Sequence, residues 1–156
     1  MKKSLIPLLT ALALVALPAA ASAEQHGHGH EHGATSLQLN HGKKWPTDEP
    51  LRRNMQALSA EFAARHAAIE RNKMTAGEYA ALGQVVEARV ATIVRECKLP
   101  PDADAMLHLV IADLVASADV MQGKATGRPS EAARTAVAAL DGYGRHFQHP
   151  GWKPVH

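Results

Sequence analysis

Aromatic residues are scarce in this chain: two Trp, two Tyr and two Phe amount to 4% of 156 residues. β-Sandwiches and barrels draw on aromatic and β-branched strands, so this scarcity, with abundant Ala, argues against both. Cysteine is nearly absent. A single residue, Cys97, rules out an intrachain disulfide. In an oxidising compartment such a lone thiol is expected to be reduced and shielded by the fold, because an exposed one would pair between molecules.

A large charge of one sign is also missing. The chain carries 17 Lys+Arg against 15 Asp+Glu, and the small excess traces to Lys2 and Lys3 at the start. These two precede an apolar run from Leu5 to Leu17 and the A-x-A sequence Ala21-Ser22-Ala23, the pattern of a cleaved secretory signal. Cleavage after Ala23 leaves 133 residues with 15 charges of each sign. A balanced chain offers no electrostatic reason to bind nucleic acid or an anionic membrane. No later apolar run has membrane length, so the expectation is a periplasmic or secreted protein with no membrane partner after cleavage.

Enzyme motifs are lacking as well. There is no phosphate loop, no H-E-x-x-H, no Ser/His/Asp order and no E-x-x-H carboxylate motif, so the chain is expected not to be an enzyme.

What the chain does have is histidine, ten residues of it. Four alternate with mostly Gly in Glu24-Gln25-His26-Gly27-His28-Gly29-His30-Glu31-His32-Gly33. With almost nothing to bury, residues 24–45 read as a disordered tail. Its neutral imidazoles suit a borderline cation: copper, nickel or zinc. Cleavage after Ala23 would make His26 the third residue. Its imidazole, the free amine and two backbone nitrogens would then form a square-planar site for Cu(II) or Ni(II), similar to the amino-terminal motif of other copper- and nickel-binding proteins.

Residues 46–149 read as an all-α, up-down-up-down four-helix bundle, followed by a C-terminal tail at 150–156. Thr47 is the expected N-cap of the first helix, whose apolar face runs Leu51, Met55, Leu58, Phe62, His66 and Ile69 to about Asn72. Thr75-Ala76-Gly77-Glu78 forms a capping box for the second, with Tyr79, Leu82, Val86, Val90, Ile93 and Cys97 on one face. Asp102 is the expected cap of the third, with Leu107, Ile111, Leu114, Ala118 and Met121 inward. Ser130 starts the fourth, which presents Ala133, Val137, Leu140, Gly144 and Phe147 until Pro150 stops it.

Antiparallel packing of these helices brings Met55, Cys97, His108 and His146 near one end of the bundle. A thioether, a thiol and imidazoles are soft or borderline ligands, so Met55, Cys97 and His108 form a candidate metal site. Their alternative roles are core filler, small buried hydrophobe and boundary residue. His66 sits on an apolar face without a second ligand and reads as a structural core or boundary residue.

Leu51-Arg52-Arg53-Asn54-Met55-Gln56-Ala57-Leu58 resembles the L-x-x-N-M-x-x-L around the axial Met of the periplasmic soluble b-type cytochromes, a four-helix family. Tyr143-Gly144-Arg145-His146 sits where that family places its axial His. The resemblance implies a non-covalent haem b held by Met55 and His146 for electron transfer. The chain has no C-x-x-C-H, which excludes covalent c-type haem. Three functions follow in order: a non-enzymatic transition-metal-binding protein for buffering, delivery or sensing; a haem electron carrier; and a helical interaction module with a homodimer or protein partner.

Overall fold

The computed structural model describes residues 36–156, which are all-helical apart from turns and two isolated β-bridges. The expected signal at 1–23 and the four His of the tail lie outside the described residues. Five helices are present among the described residues: α1 (Glu49–Ala63), α2 (His66–Glu70), α3 (Ala76–Glu96), α4 (Pro101–Met121) and α5 (Pro129–His146). The helix expected to run to Asn72 is therefore two helices. Arg65 leaves helical geometry at φ −112° and ψ −1°, its N–H bonding to Phe62 O rather than to the carbonyl four residues back. Its guanidinium bonds to the Glu61 carbonyl and carboxylate. After this break α2 still buries Ile69, then ends where Asn72 takes a left-handed φ of 50°, a conformation Asn tolerates better than most residues.

The helix starts differ in detail from expectation. The Thr75/Glu78 capping box at α3 forms with both reciprocal bonds. At α1 the cap is Asp48, not Thr47: Asp48 has extended backbone and accepts the Leu51 N–H at 2.9 Å. α4 starts one residue before the expected cap, with Pro101 at N1, and Asp102 lies in its first turn. Pro fits there because that N–H has no helical partner anyway. Likewise Pro129, not Ser130, opens α5. α5 ends at His146, four residues before Pro150, because Phe147 turns extended and bridges to Trp45.

The core gathers Leu51, Met55, Leu58 and Phe62 from α1, Leu82, Val86 and Ile93 from α3, Leu107, Val110 and Leu114 from α4, and Ala133, Leu140 and Tyr143 from α5. α4 packs on both α3 and α5, and α1 packs on α3. At Gly83 of α3 an added Cβ would meet Ala118 O at 2.9 Å, so the absent side chain permits the close approach of α4.

Two segments outside the helices close one end, and the packed unit extends beyond the expected limits of 46 and 149. Residues 36–48 turn at His41-Gly42, both with positive φ, between the mutual backbone bonds of Asn40 and Lys43. This is a primed turn, with Gly at the second central position. The segment then runs beside the end of α5, where Trp45 N–H bonds His146 O and Gln148 N–H bonds Trp45 O, each at 2.8 Å. The C-terminal segment returns along α1. Ser59 Oγ donates to Lys153 O at 2.6 Å, Lys153 N–H bonds Gln56 Oε1 at 3.2 Å, and Val155 is buried. Gly142 and Gly144 are notches for these segments: a Cβ at Gly142 would touch Leu37 at 3.0 Å, and one at Gly144 would enter the Trp152 ring.

Gly144→Ala should displace Trp152 and loosen the C-terminal segment, lowering unfolding stability by about 1–3 kcal/mol, the usual range for overpacking. Gly77→Ala, in open space at the first turn of α3, should be neutral or stabilise by about 0.5 kcal/mol. Urea unfolding followed by Trp fluorescence distinguishes these outcomes, and equal stability of the two variants would refute the notch.

Candidate functional site

The end of the bundle closed by the two segments gathers Asp48, Cys97, Tyr143 and His149. The Asp48 carboxylate is central to it. Oδ1 accepts the Leu51 N–H and Oδ2 accepts the Lys98 N–H at 2.6 Å, with the Cys97 thiol near enough to feel the carboxylate charge. Cys97 itself caps the C-terminus of α3, its N–H bonded to Ile93 O at 2.8 Å. Beside Asp48, Thr47 Oγ1 donates to Gln148 O at 2.6 Å, while the Arg52 guanidinium bonds Thr47 O at 2.7 Å and Thr47 Oγ1 at 3.1 Å.

The Cys97 thiol is half-buried, and burial is the first cause pushing its pKa up to about 12; the negative charge and hydrogen bond of Asp48 and then the charge of Asp104 add to it. The sequence expectation of a shielded, reduced thiol agrees with this environment. A thiol with so raised a pKa is a poor nucleophile near neutral pH.

Tyr143 is fully buried and its pKa is raised, chiefly by burial, so its phenol stays protonated. Tyr143 stacks on Phe147 with ring centroids 5.1 Å apart and meets Trp152 edge-on at 5.0 Å. Its hydroxyl and His149 Nδ1 share a hydrogen bond at 3.0 Å. His149 is held neutral by the same physics: burial first, then the Arg52 charge, lower its pKa. Sequence reading left His149 without a partner because the pair spans a helix end, where no periodicity applies.

The structure brings together two of the expected metal ligands. Cys97 and His108 line one groove of about 290 Å³, with Ile93, Val94, Asp104, Leu107 and Ile111. The His108 side chain is 63% exposed, and its Nδ1–H donates to Asp104 O at 2.8 Å, which leaves Nε2 free. Met55 does not join them, being fully buried in the core. Among the described residues no three His, Cys, Asp or Glu side chains are grouped to hold one ion.

The haem pair fares similarly. The inner face of α5 near its end is occupied by Tyr143 and Phe147, while His146 is half-buried with Nδ1–H bonded to Gly142 O at 2.8 Å. Neither Met55 nor His146 lines any of the principal cavities among the described residues. As placed, this pair does not fit a porphyrin. His66 is half-buried and stacks on His156, centroids 5.7 Å apart, with His156 Nδ1 3.9 Å from Asp141. The sequence reading gave His66 no neighbour of this kind, since His156 arrives from the C-terminal segment.

No family model, curated protein or solved structure matches the chain.

Two outcomes are expected. At pH 8 native Cys97 should react with a thiol reagent roughly a thousandfold more slowly than an ordinary cysteine, the thiolate deficit implied by a rise from 9.0 to about 12; fast native labelling would contradict it. His149 contributes stability that is complete above its unfolded value of about 6.5 and is lost as pH falls below it, because the unfolded chain takes up the proton first. The melting temperature should therefore fall between pH 7 and pH 5, and fall less in His149→Gln. An unchanged slope in that variant would exclude His149 as a source.

Proposed function

We propose that the chain is exported, cleaved near Ala23, and serves in the periplasm as a non-enzymatic transition-metal-binding protein. One observation carries this reading: the alternation of His26, His28, His30 and His32 with Gly and a single Glu. Each imidazole is largely neutral at pH 7 and each Gly leaves the backbone free to wrap an ion, which suits Cu(II), Ni(II) or Zn(II). The body that follows is an up-down-up-down arrangement of four long helices, the first interrupted at Arg65, with α2 as a short fifth element. In this reading the body acts as a stable carrier. Its groove is lined by Cys97, Asp104 and His108, but among the described residues no three such side chains are grouped to hold one ion.

Absence of a helix long and apolar enough to cross a membrane among the described residues is compatible with export of the whole body.

Equilibrium dialysis of the purified untagged protein against copper, nickel and zinc tests the proposal. Simultaneous His26/His28/His30/His32→Ala replacement should weaken binding of at least one ion by tenfold or more, with circular dichroism unchanged. Equal binding by both proteins would overturn it.

A further inference from the structure

Of the three exposed large hydrophobic residues among the described ones, two stand on the same side of the molecule. Val94 of α3 is 65% exposed and Val115 of α4 is 39% exposed. Each lines one of two grooves between these helices. The first groove lies among Glu87, Val90, Ala91, Val115, Ala118 and Asp119; the second contains Val94, Cys97 and His108. α4 itself is apolar nearly all round. Its inner side holds Met106, Leu107, Val110, Ile111, Leu114 and Met121, and between Ala105 and Ala118 its only formally charged residue is Asp113. A helix apolar on every side is characteristically covered on every side.

The outward positions of α4 also have a register. Ala105, His108, Ala112, Val115 and Asp119 recur at alternating steps of three and four, the seam spacing of packed helices. The first four are exposed and Asp119 is half-buried. His108 and Asp119 are centred on the same point of the helix as Ala112 and Val115. That shared centre makes the face complementary to itself when a second α4 packs antiparallel about a two-fold axis. Ala112 then opposes the partner subunit's Val115, and His108 opposes the partner subunit's Asp119, once on each side of the axis. The spacing is common to any such seam; it is the opposition of His108 to an acidic residue that favours a second copy.

We propose that the α3–α4 face is a homodimer interface, centred between Ala112 and Val115 of α4, with His108 and Asp119 as its cross-subunit polar pair. Nδ1 of His108 is committed to the Asp104 carbonyl within its own helix. Nε2 faces the opposing carboxylate, which it can pair with as the N–H donor of the imidazolium form, and the flanking Val94 and Ala91 widen the apolar contact. Electrostatic pairing of this kind fixes the antiparallel register, while the valines provide the apolar burial.

Sedimentation equilibrium in the presence of a chelator, which removes bridging by metal at the His-rich segment, provides the test. The protein should be a dimer at about 10–100 µM, a range that detects weak interfaces. Val115→Glu should raise the dissociation constant at least tenfold with helical circular dichroism unchanged, the site being exposed. His108→Asp, which sets carboxylates against each other, should weaken the dimer, and the double variant His108→Asp/Asp119→His should regain it. A monomer throughout this range, a dimer indifferent to Val115→Glu, or a double variant no tighter than His108→Asp would each overturn the proposal.

Discussion

The Asp48 carboxylate fixes how the ends of the helices meet. Its two oxygens serve the first turn of α1 through Leu51 N–H and the chain leaving α3 through Lys98 N–H. An ionised acceptor makes stronger bonds than a neutral one, and one of its two donors, the Leu51 N–H, is partly buried. Because Leu51 and Lys98 lie far apart in sequence, one side chain sets the start of α1 against the α3–α4 corner. Thr47 and Arg52 carry the connection on to Gln148 beyond α5. Burial first, and then the Asp48 charge, which disfavours a second negative charge beside it, keep the Cys97 thiol protonated.

Aromatic scarcity takes on a spatial meaning in this light. Trp45, Tyr143, Phe147 and Trp152, four of the six aromatic residues, lie at or beside the C-terminal end of α5. The remainder of the core is built mainly from aliphatic side chains and Ala, whose small volume allows helices to approach closely, as at Gly83 and Ala118. Large rings are concentrated where chain segments without regular structure must be held down. There the notches at Gly142 and Gly144 admit Leu37 and Trp152, so the two glycines serve packing against α5 and not helix flexibility.

How far the sequence discloses these features depends on whether a local rule governs them. The apolar periodicities of α1, α3 and α4 are local, and so is the Thr75/Glu78 capping box; all appear where the sequence places them. The break at Arg65 is not marked by Pro or Gly, and the Ile69 phase continues across it, so periodicity alone reads through to Asn72. The choice of Asp48 over Thr47 as a cap depends on Lys98 and Cys97, fifty residues away. Segments 36–48 and 147–156 carry neither helical nor strand alternation, so Trp45, Trp152 and Val155 give no sign of burial in sequence. Antiparallel bookkeeping succeeds in bringing Cys97 and His108 to one groove. It fails for Met55, because level along a bundle does not determine which way a side chain points, and Met55 points into the core.

That failure bears on where a metal would reside. Cys97 must lose its proton to become a thiolate ligand, and with its pKa pushed up to about 12 this costs roughly five decades of affinity at pH 7 before any bond is counted. An imidazole with an ordinary value near 6.5 is mostly deprotonated at the same pH and incurs almost no such penalty. Under the proposed function, four closely spaced imidazoles are therefore better donors to a borderline ion than the bundle thiol, even though wrapping costs chain entropy. In the same proposed function, the burial and the Asp48 and Asp104 charges that keep the Cys97 thiol protonated make the folded end the poorer host for an ion and favour the His-rich segment. A dimer through the α3–α4 face would double the number of those segments in each particle without asking the folded body to change its own protonation.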